Sequence, residues 1–233
     1  DSGWIAKVEP QTKVLIEAPC GILTAYAEVV DQQVVSVQFE NVPSFVVALD
    51  QVLEIRGLGS VPYDLAYGGA FYAFVNAIDL GLKCDPSHYQ KLIQAGMAIK
   101  HGILTSGVAF AHPYEDDLSF LYGTIFIASS EHAQVDSRNV CIFANGQLDR
   151  SPTGSGVSAR LAIHHARNEW PENHWMTIES ILGSQFKCQI KESVTFSKHQ
   201  AIIPIVQGQA FYTGQHEFWL DAKDPLVTGF ELR

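Results

Sequence analysis

The N-terminal part of the chain alternates apolar and polar residues with a period of two, which predicts β-strands. Three such runs, at residues 13–16, 21–30 and 33–39, are rich in Val, Ile and Ala. The turns Pro19-Cys-Gly21 and Asp31-Gln-Gln33 separate them. We therefore expect an antiparallel meander at the start of the chain.

Further strands are expected along the rest of the sequence. Residues 63–75 form a strand-like run in which Gly68-Gly69 indicates a bulge or a close approach of two backbones. Residues 120–128 and 140–143 are short and mostly apolar, as buried strands are. Four more strand-like pieces are predicted between residues 186 and 220, separated by short polar or glycine-containing turns.

Helical spacing occurs at two places. Apolar residues recur at helical intervals within residues 86–102, after an Asp85-Pro86 start that is typical of a helix N-terminus. A second helix is predicted over residues 157–167, directly after a glycine-rich turn. Residues 175–182 are expected to be irregular. Many strands and two clear helices indicate an α+β fold, not an alternating α/β fold with a parallel sheet.

The composition limits the class of protein more than its activity. Of the 233 residues, 47% are hydrophobic and 17% charged, which describes a globular chain with a sizeable core. The formal net charge of −10 argues against a nucleic-acid-binding surface, which would be basic. No apolar run approaches the roughly 20 residues of a membrane span. Neither nucleic acid nor a membrane is expected as a partner.

The cysteines and histidines do not have the spacing of a metal site. We expect buried or partly buried free thiols in a reducing cytosol, and therefore a cytoplasmic protein. The adjacent pair His164-His165 lies in the second predicted helix, where neighbours point about 100° apart and do not easily share a metal ion. Cys20, although followed by glycine, is interpreted as structural. The cysteines are Cys20, Cys84, Cys141 and Cys188.

The stretch with the clearest chemical content is Asp149-Arg-Ser-Pro-Thr-Gly-Ser-Gly-Val-Ser-Ala-Arg160. A glycine-rich turn that leads into a helix presents backbone N–H groups at the positive end of the helix dipole, which suits a carboxylate. Asp149 supplies a negative charge that suits an ammonium, so a zwitterionic amino or imino acid would fit. The alternative is a plain surface turn, since Ser151 and Thr153 are ordinary helix-capping residues.

The same stretch resembles the second signature of the proline racemase family, whose members read Asp-Arg-Ser-Pro-Cys-Gly-Thr-Gly there. Thr153 stands at the cysteine position, a substitution associated with the branch that dehydrates trans-3-hydroxy-L-proline. Matching motifs occur in the expected order along nearly the whole chain. They are Asn41-Val-Pro-Ser-Phe45, Leu65-Ala-Tyr-Gly-Gly-Ala-Phe-Tyr-Ala73, Asp117-Leu-Ser-Phe-Leu-Tyr-Gly-Thr-Ile125, Gly208-Gln-Ala-Phe-Tyr-Thr-Gly214 and Asp224-Pro-Leu-Val-Thr-Gly-Phe-Glu-Leu232.

The resemblance implies the diaminopimelate-epimerase-like fold of that family. In this fold two pseudo-symmetric halves each wrap a curled, barrel-like antiparallel sheet around a central helix, and the active site lies between them. Residues 1–41 would complete the first half, residues 42–225 would form the second half, and residues 226–233 would return to the first. The family's Met-Cys-Gly-His signature, whose cysteine removes the α-proton, does not occur in the sequence. The chain is therefore expected to be the C-terminal part of a longer enzyme, inactive alone.

The resemblance also implies an activity, the dehydration of trans-3-hydroxy-L-proline to Δ1-pyrroline-2-carboxylate without a cofactor. Thr153 would occupy the second catalytic position, and Asp149 would bind the ring ammonium. Gly154 and Ser155 would donate backbone N–H groups to the carboxylate. Phe143 would line the ligand pocket, although on composition alone it is a core phenylalanine. A homodimer is a family expectation.

Two alternatives remain open at this point. A racemase needs an acid–base group on both faces of the ring, and a threonine hydroxyl stays protonated at physiological pH. Thr153 therefore argues against a proline racemase or a hydroxyproline 2-epimerase, without removing either. The other alternative is a catalytically silent fragment that retains an imino-acid site but lacks the catalytic cysteine.

Overall fold

The computed structural model describes residues 3–230. Strands make up most of the regular structure, as the α+β prediction requires. The helices are α1 (Tyr89–Thr105) and α2 (Gly154–Ala166), with short 3₁₀ turns at Ala77–Leu80, Pro86–His88 and Asp116–Leu118. The strands are β1 (Gln11–Ala18), β2 (Gly21–Val30), β3 (Gln33–Glu40), β4 (Ser44–Ile55), β5 (Gly59–Tyr67), β6 (Phe71–Asn76), β7 (Leu121–Ala128), β8 (Ser137–Phe143), β9 (Gln147–Leu148), β10 (Met176–Glu179), β11 (Gln185–Phe196) and β12 (His199–Gly208).

Eight of these strands close into a barrel. They follow the order β4-β5-β6-β7-β8-β10-β11-β12, and β12 pairs back with β4 where Ala201 lies opposite Phe45. Most neighbours are antiparallel, while β6 with β7 and β8 with β10 are parallel. Further along the same edge, β12 pairs with β3 between Ile205 and Gly208. One strand therefore closes the barrel and also attaches the meander of β1, β2 and β3.

The barrel wall separates two cores because successive side chains of a strand point to opposite faces. Ala66, Tyr72 and Phe74 face inward and pack with α2, which fills the barrel. Their neighbours Leu65 and Ala73 face outward and pack with α1. The predicted barrel-like sheet around a central helix is confirmed.

Several local predictions are confirmed as well. The meander forms β1, β2 and β3 with antiparallel pairing. Gly68-Gly69 lies in the turn between β5 and β6, and a Cβ atom on Gly68 would stand 2.3 Å from the carbonyl oxygen of Ser155. The close backbone approach, not a bulge, is therefore the reason for this glycine. The four thiols are buried or partly buried, as expected.

Other predictions were wrong. Where four short pieces were expected between residues 186 and 220, there are two long strands, β11 and β12, because β11 continues through a register shift between Ile190 and Glu192. The chain after Gly208 forms no strand within the described residues. Residues 175–182, expected to be irregular, contain β10, whose pairing with β8 comes from a distant part of the chain. Helix α2 begins at Gly154, three residues earlier than predicted.

The C-terminal segment, residues 209–230, lies on the surface and exposes several aromatic side chains. Phe211, Phe218 and Trp219 are each more than three quarters exposed. Residues 231–233 of the predicted tail, and residues 1 and 2 of the predicted first unit, lie outside the described residues. No helix within residues 3–230 is both long enough and apolar enough to cross a membrane.

Candidate functional site

The glycine-rich loop joins the barrel wall to the helix inside it. The backbone N–H of Asp149 donates to the carbonyl of Cys141 on β8 at 3.0 Å, which fixes the start of the loop. Thr153 ends the loop with φ 68° and ψ 100°, a backbone conformation that is uncommon for a residue other than glycine. The next residue, Gly154, begins α2. Such conformations often occur at functional sites, where surrounding contacts hold them.

The Asp149 carboxylate is oriented by its own loop. Oδ1 accepts the backbone N–H of Ser151 at 2.8 Å, and Oδ2 accepts the hydroxyl of Thr153 at 2.7 Å. The N–H of Thr153 donates in turn to Ser151 Oγ at 3.1 Å. An ionised carboxylate accepts about four hydrogen bonds, so these contacts leave acceptor capacity for an ammonium. They also turn the N–H groups of Ser151 and Thr153 inward, away from any ligand.

The first N–H groups of α2 remain open. The helix begins with a bond from Val157 N to Thr153 O at 2.7 Å, so Gly154 and Ser155 have no acceptor within the helix. No other acceptor for their N–H groups occurs within residues 3–230. Both residues are half-buried. These two donors, at the positive end of the helix dipole, suit a small anion.

Thr153 is the N-cap of α2, but its side chain makes no capping hydrogen bond. The hydroxyl points to Asp149 instead, which argues against the interpretation of this loop as a plain helix cap. Burial raises the pKa of the nearby Cys141 thiol to about 12. Cys141 is therefore protonated at neutral pH and is not a base.

The side chain of Ser155 is held by a tyrosine of the barrel wall. Tyr72 Oη lies 2.8 Å from Ser155 Oγ, and Tyr72 is 1% exposed. Burial raises the pKa of Tyr72 well above its ordinary value, so the phenol keeps its proton. Tyr72 lies within the motif from Leu65 to Ala73, but its contact with Ser155 was not expected from the sequence.

An aromatic wall stands on one side of the loop. Phe143 and Tyr122 stack with ring centroids 5.4 Å apart, and Tyr72 meets Tyr122 edge-on at 5.7 Å. Phe143 and Tyr122 are each half-buried, so neither is a fully enclosed core residue. The sequence pointed to Phe143 and missed Tyr122, which the motif from Asp117 to Ile125 contains.

Asn41 holds the start of α2 in place. Its side-chain Nδ2 donates to the carbonyl of Gly68 and to Ser158 Oγ, both at 2.8 Å. It thereby joins the end of β3, the turn between β5 and β6, and the second turn of α2. Cys20 also lies near this end, because a Cβ atom on Gly69 would stand 3.5 Å from its sulfur. Burial raises the pKa of Cys20 as well.

A cavity of about 680 Å³ lies beside the loop. Arg150, Ser151 and Phe186 line it, together with residues 209–211 of the C-terminal segment. None of the five predicted site residues lines this cavity. The loop brings Asp149, Thr153, Gly154 and Ser155 together, while Phe143 ends β8 two residues after Cys141, whose carbonyl accepts the N–H of Asp149.

Comparison with known proteins identifies the family of this chain. The sequence model of the family described as "Proline racemase" matches residues 1–231. The chain belongs to the proline racemase family.

Relatives in this family carry more than one name. The trans-3-hydroxy-L-proline dehydratase of Colwellia psychrerythraea is 48% identical over 233 residues, which cover 100% of this chain and 65% of that protein. The trans-L-3-hydroxyproline dehydratase of Saccoglossus kowalevskii is 38% identical over 100% of this chain and 72% of its own length. The proline racemase of Clostridioides difficile is 36% identical over 100% of this chain and 69% of its own. The chain thus spans about two thirds of the length of these relatives.

Solved structures of the proline racemase family share the fold. A hydroxyproline epimerase from Agrobacterium vitis, with bound trans-4-hydroxy-L-proline, matches with a TM-score of 0.89 and 36% identity over 99% of this chain and 66% of that one. A probable proline racemase from Agrobacterium radiobacter, with bound carbonate, matches with a TM-score of 0.92 and 34% identity over 99% and 67%. The predicted family and its fold are confirmed, while the roles of the five site residues stay predictions.

The histidine pair of α2 behaves as its helical spacing predicts. His164 Nδ1 lies 2.7 Å from Glu169 Oε2, while His165 Nε2 lies 3.2 Å from Ser193 Oγ on another side of the helix. Across residues 3–230 there is no group of three or more His, Cys, Asp or Glu residues that could hold a metal ion.

Proposed function

We propose that this chain forms the threonine side of the active site of a trans-3-hydroxy-L-proline dehydratase, which produces Δ1-pyrroline-2-carboxylate and water. The observation that carries the proposal is Thr153, a hydroxyl at the N-terminus of α2 where the family signature has a thiol. The 48% identical relative from Colwellia psychrerythraea and the relative from Saccoglossus kowalevskii are both named as dehydratases of this substrate. Their names support the choice of reaction within the family.

The substrate is a five-membered imino acid that carries both charges. Its carboxylate accepts hydrogen bonds from the open N–H groups of Gly154 and Ser155. These donors can stabilise the negative charge that develops on the substrate without a metal ion. Its ring ammonium donates to the remaining acceptor positions of Asp149. Phe143 covers one face of the ring. The same division of charges suits the hydroxyproline that is bound in the Agrobacterium vitis epimerase.

The groups on this side of the site keep their protons. The Thr153 hydroxyl donates to Asp149 Oδ2 and presents only lone pairs to a ligand. Burial keeps the Cys141 thiol and the Tyr72 phenol protonated at neutral pH. Inversion at the α-carbon needs a second acid–base group on the opposite face, and none of these three side chains provides one. We therefore favour elimination over racemisation or 2-epimerisation.

Elimination needs a single base, which we assign to the cysteine of the family's Met-Cys-Gly-His signature, a motif that these 233 residues do not contain. In trans-3-hydroxy-L-proline the α-hydrogen and the 3-hydroxyl lie on the same face of the ring. The base removes the α-proton, the C–H electron pair forms a C2–C3 double bond, and the C3–O bond breaks. The departing hydroxide takes the proton and leaves as water. The resulting enamine tautomerises to the imine, and no cofactor takes part.

The test supplies the missing motif. The chain is joined to the preceding segment of the Colwellia psychrerythraea relative, and trans-3-hydroxy-L-proline is followed by NMR for loss of the α-proton and appearance of the imine product. We expect product from the joined protein and none from the 233 residues alone. A folded joined protein that yields no imine contradicts the proposal.

A second arm separates the alternatives. In deuterated water the joined protein is given L-proline, which has no 3-hydroxyl to lose. We expect at most exchange of the α-hydrogen with retained configuration. Formation of D-proline would establish the racemase alternative instead, and binding of an imino acid without exchange or elimination would establish a silent binding protein.

A further inference from the structure

A chain of hydrogen bonds runs from the residue after β3 to the first peptide group of α2. Asn41 Nδ2 donates to Ser158 Oγ at 2.8 Å, and Ser158 Oγ donates to the carbonyl oxygen of Gly154 at 2.9 Å. Both side chains are buried, since Asn41 is 7% and Ser158 0% exposed. In such a site hydrogen bonds are electrostatically stronger than in water and polarise one another.

The direction of this chain is fixed by its first member. The Asn41 atom that faces the carbonyl oxygen of Gly68 at 2.8 Å is the amide nitrogen, because a carbonyl oxygen only accepts. The same NH₂ group faces Ser158 Oγ, so the Ser158 hydroxyl accepts there and gives its single proton to Gly154. The opposite orientation of that hydroxyl would place two donors face to face.

The carbonyl of Gly154 and the N–H of Ser155 belong to one peptide group. A hydrogen bond to the carbonyl oxygen draws electron density from the nitrogen through peptide resonance, so the N–H becomes a stronger donor. The Ser158 hydroxyl adds such a bond to the one that the helix backbone supplies. The N–H of Gly154 instead shares its peptide with the Thr153 carbonyl, which accepts the N–H of Val157 at 2.7 Å. The two open donors of α2 are therefore unequal.

We propose that Asn41 and Ser158 are positioning residues that make the N–H of Ser155 the stronger of the two donors to the substrate carboxylate. This inference rests on the proposed function, in which the carboxylate binds those N–H groups. Removal of the α-proton moves negative charge onto the carboxylate, so a stronger donor stabilises the transition state more than the bound substrate. Neither side chain needs to touch the substrate, because both act through the peptide group.

The size of the effect follows from two magnitudes. Loss of a whole oxyanion donor lowers kcat by about 10²- to 10³-fold. Hydrogen bonds in a chain strengthen one another by roughly 10–30%. About a fifth of the donor's contribution corresponds to a factor of about three in rate. We therefore expect Ser158→Ala to lower kcat about threefold and to change KM less.

The kinetic test uses the protein joined to the preceding segment of the Colwellia psychrerythraea relative. Ser137→Ala is the matched control for Ser158→Ala, because Ser137 is also buried and its hydroxyl donates to a backbone carbonyl, that of Ala128, at 3.0 Å. Ser137 begins β8, at the opposite end of the strand from Phe143. Both variants should lower the urea midpoint, and Ser158→Ala alone should lower kcat. Equal kcat in the two variants overturns the inference.

A second measurement does not depend on activity. In the 233-residue chain, heteronuclear NMR compares the amide nitrogen signals of Ser155 and Gly154 with and without the Ser158 hydroxyl. We expect Ser158→Ala to shift the Ser155 nitrogen to lower frequency, because electron density returns to it, and to shift the Gly154 nitrogen less. A purely structural role of the hydroxyl would move both signals alike, and that result overturns the inference even in an active enzyme.

The part of Asn41 is tested by combining variants. Asn41→Leu should lower kcat in the joined enzyme and add little in the Ser158→Ala background, because the two side chains act in series. Equal losses in both backgrounds would show that Asn41 acts by another route and overturn its part in the chain. A joined protein that forms no imine contradicts the proposed function itself, and the NMR comparison then decides whether the N–H of Ser155 is the stronger donor.

Discussion

The two helices of this protein begin in different ways, and the difference shows what makes a helix end a site. Before α1, Asp85 accepts the N–H of Ser87 at 3.0 Å and lies 2.8 Å from His88 Nδ1, so its carboxylate is used to cap the turn. Before α2, Asp149 binds inside the loop and leaves the N–H groups of Gly154 and Ser155 open. An aspartate is therefore not the distinguishing feature. What distinguishes α2 is a set of enclosed donors that the chain does not satisfy by itself.

The position of α2 depends on how closely its neighbours approach. A Cβ atom on Gly68 would lie 2.3 Å from the Ser155 carbonyl oxygen and 2.4 Å from the Ala159 nitrogen, both of which are backbone atoms. On α1, a Cβ atom on Gly96 would lie 2.7 Å from the side chain of Ile142. The approach at Gly68 is the closer of the two and meets the backbone of α2 itself, so α2 is the less tolerant of the two helices.

The largest expected effect is that of Gly68→Ala. We expect a loss of about 3 kcal/mol or more in the free energy of unfolding, because the helix must move away from the turn. Gly96→Ala should cost less. Gly102→Ala, which meets only the ends of Leu53 and Ile55 side chains at 3.2–3.3 Å, is the near-neutral control. Urea denaturation measures all three, and equal stability of Gly68→Ala and Gly102→Ala would contradict the close approach.

The second prediction compares substitutions of the two aspartates that precede the helices. Asp149→Asn in the joined enzyme should lower kcat/KM about 100-fold or more, because the charge that holds the substrate ammonium is lost. Asp85→Ala should leave kcat/KM unchanged and cost about 1 kcal/mol of stability, as the loss of a helix cap does. Steady-state kinetics and urea denaturation of both variants decide the matter. A loss of activity in Asp85→Ala equal to that in Asp149→Asn would remove the distinction between the helix ends.

A smaller effect is expected from the hydrogen bond between Tyr72 and Ser155. Tyr72→Phe keeps the ring and removes the hydroxyl, so kcat/KM should fall about tenfold, in line with about 1 kcal/mol for one hydrogen bond. Tyr122→Phe is the matched control, because the described contacts of the Tyr122 side chain are made by its ring, and those of its backbone carbonyl are kept in the variant. The interpretation fails if the two variants have the same kinetics.

The sequence predicted the parts of the fold that depend on local patterns. Period-two alternation located the meander, and the Asp85-Pro86 start located the first helix. The signature located the loop, while Gly68 indicated a close backbone approach. What local patterns do not contain is pairing between distant residues. The bonds from Asn41 to Ser158 and from Tyr72 to Ser155 span 117 and 83 residues.

The same limit explains the strands that were mispredicted. Strand β10 is short, and its position depends on parallel pairing with β8, where Ile178 lies opposite Ser137. It also carries Glu179, which is fully buried because Arg138 binds it at 2.6 Å. A buried carboxylate interrupts the apolar pattern by which a strand is recognised. The closing strand β12 divides one edge between β3 and β4, which no alternation along a single segment indicates.

The two helix ends differ least in the thiols next to them, whose pKa values lie about one unit apart in the alkaline range. Burial raises the pKa of Cys84, beside Asp85, to about 11, and that of Cys141, beneath Thr153, to about 12. A raised pKa means that the stabilising contribution is complete below the ordinary value of 9.0 and is lost as the pH rises toward the folded value. As the pH rises, the loss of stability due to Cys84 should therefore level off first, and the loss due to Cys141 should continue to higher pH. Urea denaturation between those pH values, with Cys84→Ala and Cys141→Ala, tests this order. If Cys84→Ala reduces the loss of folding stability at alkaline pH more than Cys141→Ala does, the loop before α2 is less enclosed than the start of α1.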